Sequence, residues 1–251
     1  MAKEVQNPWL NISWDNTIAD CDKGFLVKVG KQKYVFDSKA YVDFVNSKDS
    51  TSKEDKPVEF TFDCLPEPFS GDVHSKVYCL NKNPGKPDPL FQKDALFEKV
   101  TKENLSHKLR GTIWTDQLCV PDSDPGKTHV HGGTNWLRSK TAELRKDLGI
   151  GENNPNLFFI DFFPYHSSHG FNFPKELPSN SYRNYLVEKA MEEEKIIIIM
   201  RERQRWFDEI KGLEFYSRLI TLRCAAGGWL SKNNMDFASN CGYHDLLDAL
   251  K

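Results

Sequence analysis

The stretch that decides the fold is Lys76-Val77-Tyr78-Cys79-Leu80, followed by Asn81-Lys82-Asn83-Pro84-Gly85. The first half is a short apolar run, which is typical of a strand buried on both faces of a sheet. The second half ends that strand, because Pro84 has no N–H to donate and Gly85 accepts backbone angles that other residues avoid. We predict a rigid turn that directs Asn83 and backbone amides into a cleft, although such turns are also common on ordinary surfaces.

Further apolar runs follow the same pattern along the chain. The predicted strands are Lys76–Leu80, Leu157–Phe163, Lys195–Met200 and Leu219–Leu222. The predicted helices between them are Trp136–Leu148, Tyr182–Glu194 and Gln204–Ile210. Alternation of strands and helices favours a mostly parallel sheet with helices on both faces. We therefore predict an α/β protein with three α/β/α layers and a four-stranded, mostly parallel sheet over residues 76–251.

Residues 1–75 differ from the rest and are predicted to form an N-terminal extension packed on the main domain. Two apolar stretches flank Gly30-Lys31, which predicts a β-hairpin with a two-residue turn. A short helix is predicted over Asp37–Lys48. The prolines in Leu65–Phe69 predict an extended segment, since each disfavours helix at the residue before it.

The composition excludes several classes of protein. The chain has 251 residues, of which 39% are hydrophobic, enough for one full core. Its net charge of −2 gives no general attraction to nucleic acid or to membranes. The N-terminus lacks the apolar run of a secretory signal, and Ile196–Met200 is too short to cross a bilayer. The six cysteines are widely and irregularly spaced, as in reduced thiols. A cytoplasmic protein without a cofactor is expected.

Polar residues after the predicted strands are the first candidates for a site, because parallel sheets bind ligands beyond the carboxyl ends of their strands. Asp161 lies near the end of the second predicted strand, where a buried carboxyl is costly unless it is paired or used. Tyr165 and His166 follow it with an aromatic face and a group that titrates near neutral pH. Arg201 follows the third strand and is suited to phosphate, while Ser231, Asn233 and Asn234 follow the fourth. Each residue also has a purely structural interpretation as a cap or a solvated side chain.

Four histidines suggest a different kind of site. His129, His131, His166 and His169 have spacings found among metal ligands. However, residues 121–133 are predicted to be a long loop without a supporting pattern of carboxylates. A metal-dependent hydrolase therefore remains an alternative hypothesis, and no metal is expected.

Taken in order, several segments resemble the uracil-DNA glycosylase superfamily, and more narrowly a bacterial glycosylase-like group of uncertain activity. The segments are Pro66–Phe69 with Gly71, Tyr78–Gly85, Phe163–Ser167, Ile197–Arg201 with Trp206, and Leu230–Asn234. Each segment alone is weak evidence, but their order and spacing together are fairly specific. The resemblance covers residues 65–234.

The resemblance implies a base pocket at the strand ends and a role in DNA repair. It implies that Asn83 places the attacking water, that Asp161 stands where the superfamily has an Asn reading the base edge, and that Phe91 stacks on the base. The chain departs from the pattern at Ala226-Gly227-Gly228, where the superfamily has a His or Asn that steadies the leaving base. His166 is the candidate to replace it.

The expected activity is hydrolysis of the N-glycosidic bond of a nucleobase in DNA or in a nucleoside. The alternative is a catalytically degenerate protein that binds a base or nucleotide on the same fold. The expected catalytic residues are Asn83 and His166. The expected binding residues are Asn81, Pro84, Gly85, Phe91, Asp161, Tyr165, Arg201, Ser231, Asn233 and Asn234. We expect a monomer that binds DNA or a nucleotide and does not associate with membranes.

Overall fold

A mostly parallel sheet organises the fold in the computed structural model, which describes residues 5–28, 34–36, 60–62, 64–85, 87–91, 93–121, 126–167, 177–235 and 241–251. The strands are β1 (Leu26–Lys28), β2 (Tyr34–Phe36), β3 (Phe60–Thr61), β4 (Phe69–Ser70), β5 (Val77–Asn81), β6 (Cys119–Pro121), β7 (Thr128–Val130), β8 (Phe158–Asp161), β9 (His166–Ser167), β10 (Ile196–Ile199) and β11 (Leu219–Thr221). The helices are α1 (Ala95–Leu105), α2 (Gly132–Lys140), α3 (Ala142–Leu148), α4 (Asn180–Glu192), α5 (Arg203–Glu209), α6 (Lys232–Met235) and α7 (Tyr243–Leu250).

The four strands predicted from the apolar runs are all present and lie side by side. The sheet order is β11-β10-β5-β8-β4, and the first four of these strands are parallel to one another. The prediction of four strands is wrong in number, because β4 adds a fifth that pairs antiparallel with β8. The sequence predicts only that Leu65–Phe69, which reaches the first residue of β4, is extended. An extended segment becomes an edge strand where a neighbour offers free backbone groups.

The two faces of the sheet carry separate hydrophobic clusters. Alternate residues of a strand point to opposite faces, and accordingly Tyr78 and Leu80 join one cluster while Val77 and Cys79 join the other. The first cluster receives apolar side chains from α1, α4 and α5. The second receives them from α2, α3, α6 and α7. Helices therefore cover both faces of an α/β sheet, and its strands are buried except at Asn81 and Thr221, which are partly exposed.

Part of the N-terminal region is also described. Strands β1 and β2 pair antiparallel, with Leu26 opposite Phe36, so the strand pairing of the predicted hairpin is confirmed. Its turn at Gly30-Lys31 and the predicted helix Asp37–Lys48 lie outside the described residues. Strand β3 pairs with β9, which places Thr61 opposite His166. The N-terminal region thus pairs with the backbone of His166, one of the two expected catalytic residues.

The helices differ from the predictions in several places. The helix predicted over Trp136–Leu148 is wrong as a single element, because α2 ends at Lys140 and α3 begins at Ala142. The break lies at Thr141, whose hydroxyl donates to the carbonyl of Leu137 at 2.8 Å beside its own backbone N–H at 2.9 Å. Such a side-chain bond to the carbonyl four residues earlier often bends a helix. The loop predicted over residues 121–133 is also wrong, since the antiparallel pair β6–β7 leads directly into α2. In the described part of the chain, no helix is long and apolar enough to span a bilayer.

Candidate functional site

A cavity of about 300 Å³ lies where the parallel strands β5 and β8 end. Their last residues, Asn81 and Asp161, face each other in the strand register and both line the cavity. The residues lining it are Glu67, Asn81, Asn83, Pro84, Asp88, Trp114, His131, Gly132, Gly133, Trp136, Asp161 and His166. No lysine or arginine belongs to this set, so the described wall of the cavity offers no permanent cation to a phosphate group.

The turn after β5 forms one wall of the cavity. Gly85 has a φ of 78°, in the left-handed region that glycine adopts without strain. This conformation presents the Gly85 carbonyl to the chain that follows β8, where it accepts from Ser167 N at 3.0 Å and from His166 Nδ1 at 3.1 Å. Asn83 is fixed by a 3.0 Å hydrogen bond from its Nδ2 to Ser167 Oγ. The hydrogen bonds of Asn83 and Gly85 therefore connect the turn after β5 to the segment after β8, and together these form one wall of the cavity.

His166 and Glu67 form a buried pair. The Gly85 carbonyl can only accept, so His166 Nδ1 carries a proton, and Nε2 of the same ring lies 3.4 Å from Glu67 Oε1. Glu67 Oε2 accepts from Trp114 Nε1 at 3.1 Å. Burial acts to raise the pKa of Glu67, but the hydrogen bond and charge of His166 outweigh it and hold the pKa below its usual range. Glu67 is therefore ionised and His166 donates to it.

The antiparallel direction of β4 explains how Glu67 reaches the cavity. A strand that runs against its neighbours begins at the edge of the sheet where they end. Glu67 lies two residues before Phe69, the first residue of β4. Its N–H donates to Pro164 O at 3.1 Å, and Asp161 N donates to Pro68 O at 2.9 Å. Backbone hydrogen bonds thus hold Glu67 beside the end of β8.

Asp161 is the most unusual titratable group of the site. Its side chain is buried, and its Oδ1 has no hydrogen-bond partner in the described chain. Burial, with the nearby Glu67 carboxylate, raises the pKa of Asp161 well above its usual range, although a hydrogen bond from the Asn81 side chain acts in the opposite direction. A protonated Asp161 can both donate and accept a hydrogen bond at the cavity wall.

The start of α2 forms the opposite side of the cavity. His131 caps this helix by accepting from Gly133 N at 3.1 Å on its Nδ1. A Cβ on Gly133 would lie 2.4 Å from Trp114 Cδ1, so only glycine allows the indole to pack here. Trp114 in turn packs edge-on against Trp136 at 5.5 Å between ring centroids. The two indoles supply the aromatic surface of the cavity.

Asp88 links the turn after β5 to α2. Its Oδ2 accepts from Gly132 N at 3.2 Å and from His129 Nε2 at 2.8 Å. Partial burial acts to raise the pKa of Asp88, but the hydrogen bonds from His129, Leu90 and Gly132 lower it below its usual value. An ionised carboxylate at the N-terminus of a helix is favoured by the helix dipole. Asp88 thus fixes the position of α2 relative to the turn.

The structure brings five of the expected site residues into contact with the cavity, namely Asn81, Asn83, Pro84, Asp161 and His166. Gly85 lies directly behind them through its bond to His166. Phe91 is buried outside the lining and packs its ring on His131 at 4.8 Å between centroids. The aromatic side chains that do line the cavity are Trp114 and Trp136.

The other expected binding residues lie outside the cavity lining. Tyr165 is buried, and its hydroxyl donates to Asp22 Oδ2 at 2.7 Å. Arg201 donates to Ala226 O at 2.8 Å. Ser231 O accepts from Asn234 N, Asn233 is exposed, and Asn234 is buried with its Oδ1 accepting from Cys224 N at 2.7 Å. These contacts give Tyr165, Arg201 and Asn234 structural roles.

The residues that sequence reasoning missed as part of a base pocket lie before or between the predicted strands. Glu67 precedes an edge strand, and Trp114 and His131 lie on elements that connect β5 to β8. The one available signal for Glu67 was its position in the segment Pro66–Phe69, which resembles the glycosylase pattern. The spacing of the histidines indicates His131 only as a metal ligand.

Metal binding was the alternative raised by the histidines. Among the described residues, no group of three or more His, Cys, Asp or Glu side chains is arranged to hold a metal ion. His129 is paired with Asp88, and His166 is held between Gly85 and Glu67. His169 lies outside the described residues.

Comparison with known proteins gave no match: no family model, no curated protein and no solved structure matches the chain. A functional proposal for this protein therefore depends on its sequence motifs and on the geometry of the cavity.

Proposed function

We propose that the protein hydrolyses the N-glycosidic bond of a nucleobase that enters the cavity at the ends of β5 and β8. The observation that carries this proposal is the convergence of Asn81, Asn83 and Asp161 on one cavity of about 300 Å³. That volume is at the lower end of the range for small-molecule sites. A ring lying between polar strand ends and the indoles of Trp114 and Trp136 fits both walls.

The charges of the lining favour an uncharged ligand in the cavity. Its ionised groups, Glu67 and Asp88, are each already bound to histidine, and the described lining has no lysine or arginine. In the described lining a phosphate would find no unpaired cation, because the ring of His166 is already bound to Glu67, whereas a base is neutral. In its protonated form, Asp161 offers adjacent donor and acceptor atoms, the pattern that base edges present.

Asn83 is suited to hold the attacking water. Its Nδ2 is used by Ser167 Oγ, which leaves Oδ1 as an acceptor for a water O–H. Bond cleavage passes through an oxocarbenium-like sugar, so a water held by a neutral amide beside the anomeric carbon is a sufficient nucleophile. The resemblance to the uracil-DNA glycosylase superfamily supports the same role for this residue.

The sugar and any phosphates must lie outside the cavity mouth. In duplex DNA the base would first have to leave the stack, which costs a few kcal/mol. Binding to DNA depends on neutralising phosphates, and the net charge of −2 gives little help. Because the base need not be taken out of a duplex in either of them, single-stranded DNA and a free nucleoside are the preferred substrates in the proposal.

The test is to incubate the protein with single- and double-stranded oligonucleotides carrying uracil, mismatched thymine or hypoxanthine, and with the corresponding nucleosides. Alkali cleavage detects abasic DNA, and chromatography detects a free base. Asn83→Ala should lower the rate by on the order of 10²-fold or more, whereas Asn153→Ala, at an exposed loop residue, should not change it. If the wild-type protein releases no base from any of these substrates while a control glycosylase does, the proposal is wrong.

A base-binding protein without activity is the second candidate. Both nitrogens of His166 and both carboxylate oxygens of Glu67 already have partners in the wall. Neither group is therefore placed to accept a proton from water without breaking an existing contact. Calorimetry with nucleobases and nucleosides separates the two functions, since this candidate predicts binding without release of a product.

A further inference from the structure

Two cations without a carboxylate partner lie beside the cavity and outside its lining. They are Lys140, the last residue of α2, and Arg201, the second residue after β10. Among the described residues, neither charged group meets a carboxylate. The guanidinium of Arg201 donates to the carbonyl of Ala226 at 2.8 Å, and the ammonium of Lys140 lies over an indole ring. Both positive charges are therefore left unbalanced by the protein.

The helix α2 places Lys140 next to the cavity. Trp136 lines the cavity, and a residue four positions later lies on the same face of a helix, about 6 Å along its axis. The Lys140 ammonium lies 5.1 Å from the ring centroid of Trp229. That ring packs closely on Gly227, where an added Cβ would clash with it. Trp229 therefore holds the Lys140 charge in place through a cation–π contact, one helical turn from the cavity wall.

The sheet places Arg201 next to the same cavity. Its N–H donates to Leu80 O at 3.4 Å. Leu80 directly precedes Asn81, which lines the cavity at the end of β5. Arg201 thus begins one strand away from the polar strand ends that are proposed to receive the base.

The two cations are also close to each other. The loop after β11 contacts both of them. Its Ala226 O accepts from Arg201, and its Leu230 N donates to the carbonyl of Lys140 at 2.9 Å. Burial lowers the pKa of Lys140, and the charge of Arg201 lowers it further. Two like charges held together without a counter-ion repel each other, and an anion bound between them would relieve that repulsion.

Resting on the proposed function, we infer that Lys140 and Arg201 bind the phosphate of a free nucleoside monophosphate whose base enters the cavity. A phosphate on the pentose lies one sugar ring away from the base, and the two cations lie just outside the lining. A phosphate monoester carries a charge of about −1.5 to −2 at pH 7, which two cations balance. A phosphodiester within a DNA strand carries only one negative charge, so it matches this pair less well.

The reaction itself is the proposed hydrolysis. Water gives its hydroxyl to the anomeric carbon and its remaining proton to the base, which leaves with the electron pair of the broken C–N bond. The products are a free base and a pentose phosphate. Lys140 and Arg201 take no part in bond breaking and act only on binding of the phosphate.

Binding of the phosphate can be measured without turnover. Calorimetry with deoxyribose 5-phosphate, which has no base, tests the two cations alone, at low ionic strength because salt screens exposed charges. Arg201→Gln keeps a donor for the loop carbonyl but removes the charge, and Lys140→Met keeps a long apolar stem. Each should weaken binding by about tenfold or more, because a hydrogen bond to a charged group is lost. Arg218→Gln and Lys76→Met, at cations before β11 and β5 on the opposite edge of the sheet, are the matched controls and should not change it.

Turnover tests whether the phosphate belongs to the substrate. Deoxyuridine 5′-monophosphate should be cleaved with a KM about tenfold or more below that of deoxyuridine. Arg201→Gln should abolish this preference and leave kcat for deoxyuridine unchanged, because the cation contacts the phosphate and not the breaking bond.

The possible outcomes separate this inference from the proposed function. Release of uracil from deoxyuridine without any gain from the 5′-monophosphate overturns the phosphate site only, as does binding of deoxyribose 5-phosphate that is absent or insensitive to both substitutions. A lower KM for a single-stranded oligonucleotide than for the monophosphate overturns the choice of ligand and assigns the two cations to a DNA strand. Binding of deoxyribose 5-phosphate through both cations, with no base released from any substrate, supports the phosphate site and overturns the proposed hydrolysis.

Discussion

Replacing Glu67 by alanine should destabilise the protein strongly, because two buried side chains depend on this carboxylate. Trp114 Nε1 donates to it at 3.1 Å and His166 Nε2 lies 3.4 Å away. Each buried polar group left unpaired costs about 1–3 kcal/mol, so we expect Glu67→Ala to lower the free energy of unfolding by about 2–6 kcal/mol. The total for a domain is about 5–15 kcal/mol, so this loss is easily measured.

Glu67→Gln separates the hydrogen bonds from the charge. The amide oxygen can accept from Trp114, and the amide nitrogen can donate to His166 once that ring is neutral. We therefore expect a loss of only about 1 kcal/mol. Urea denaturation at pH 7, followed by tryptophan fluorescence, measures both variants, and an unchanged slope against urea shows that the same transition is compared. Losses that agree within about 0.5 kcal/mol for alanine and glutamine would refute this account of the pair.

The pH dependence gives an independent check on Glu67. The pKa of this group is lower in the folded protein than in the unfolded chain. Its contribution to stability is therefore present above the unfolded value of about 4.3 and is lost as the pH falls through the folded pKa. The difference in stability between the wild type and Glu67→Gln should shrink as the solution is acidified. A difference that grows toward low pH would contradict the assignment of an ionised Glu67.

Three further predictions concern other parts of the site. Asp161 has a raised pKa, so as the pH rises the folded protein keeps this proton to a higher pH than the unfolded chain does. The free energy of unfolding of the wild type should therefore fall, relative to that of Asp161→Asn, by up to about 1.4 kcal/mol per pH unit above about pH 4. Parallel stability curves for the two proteins over pH 5–7 would contradict this. Gly133→Ala should cost about 1–3 kcal/mol through its clash with Trp114, whereas Gly132→Ala, whose Cβ has space, should be neutral or slightly stabilising; equal melting temperatures would argue against the clash. Tyr165→Phe removes a hydroxyl bonded to a buried aspartate and should cost about 1–3 kcal/mol in urea denaturation, with no change in affinity for bases.

The central part of the sheet could be predicted because its information is local. Each of the four parallel strands is a short apolar run with polar residues at its end, and the carboxyl ends of parallel strands share one edge of a sheet. That rule is enough to predict that Asn81, Asn83 and Asp161 share one cavity, as the structure shows.

The other lining residues come together only through tertiary structure, which a local sequence pattern does not predict. Glu67 lies at the cavity because β4 is antiparallel to its neighbour, and this direction is seen only in its pairing with β8. His131 lies at the cavity because the paired strands β6 and β7 lead into α2. The sequence predicts a loop over residues 121–133. Phe91 was expected to stack on a base, but its ring packs behind His131 instead.

The backbone hydrogen bonds between the start of β4 and the end of β8 also report whether the cavity has formed. The amide protons of Glu67 and Asp161 are bound to Pro164 O and Pro68 O, respectively, and join parts of the chain that are far apart in sequence. No fragment that lacks either part can form these bonds. Slow hydrogen exchange at these two amides would therefore report that the cavity has assembled, and its loss in a variant would mark local opening of the site before the sheet unfolds.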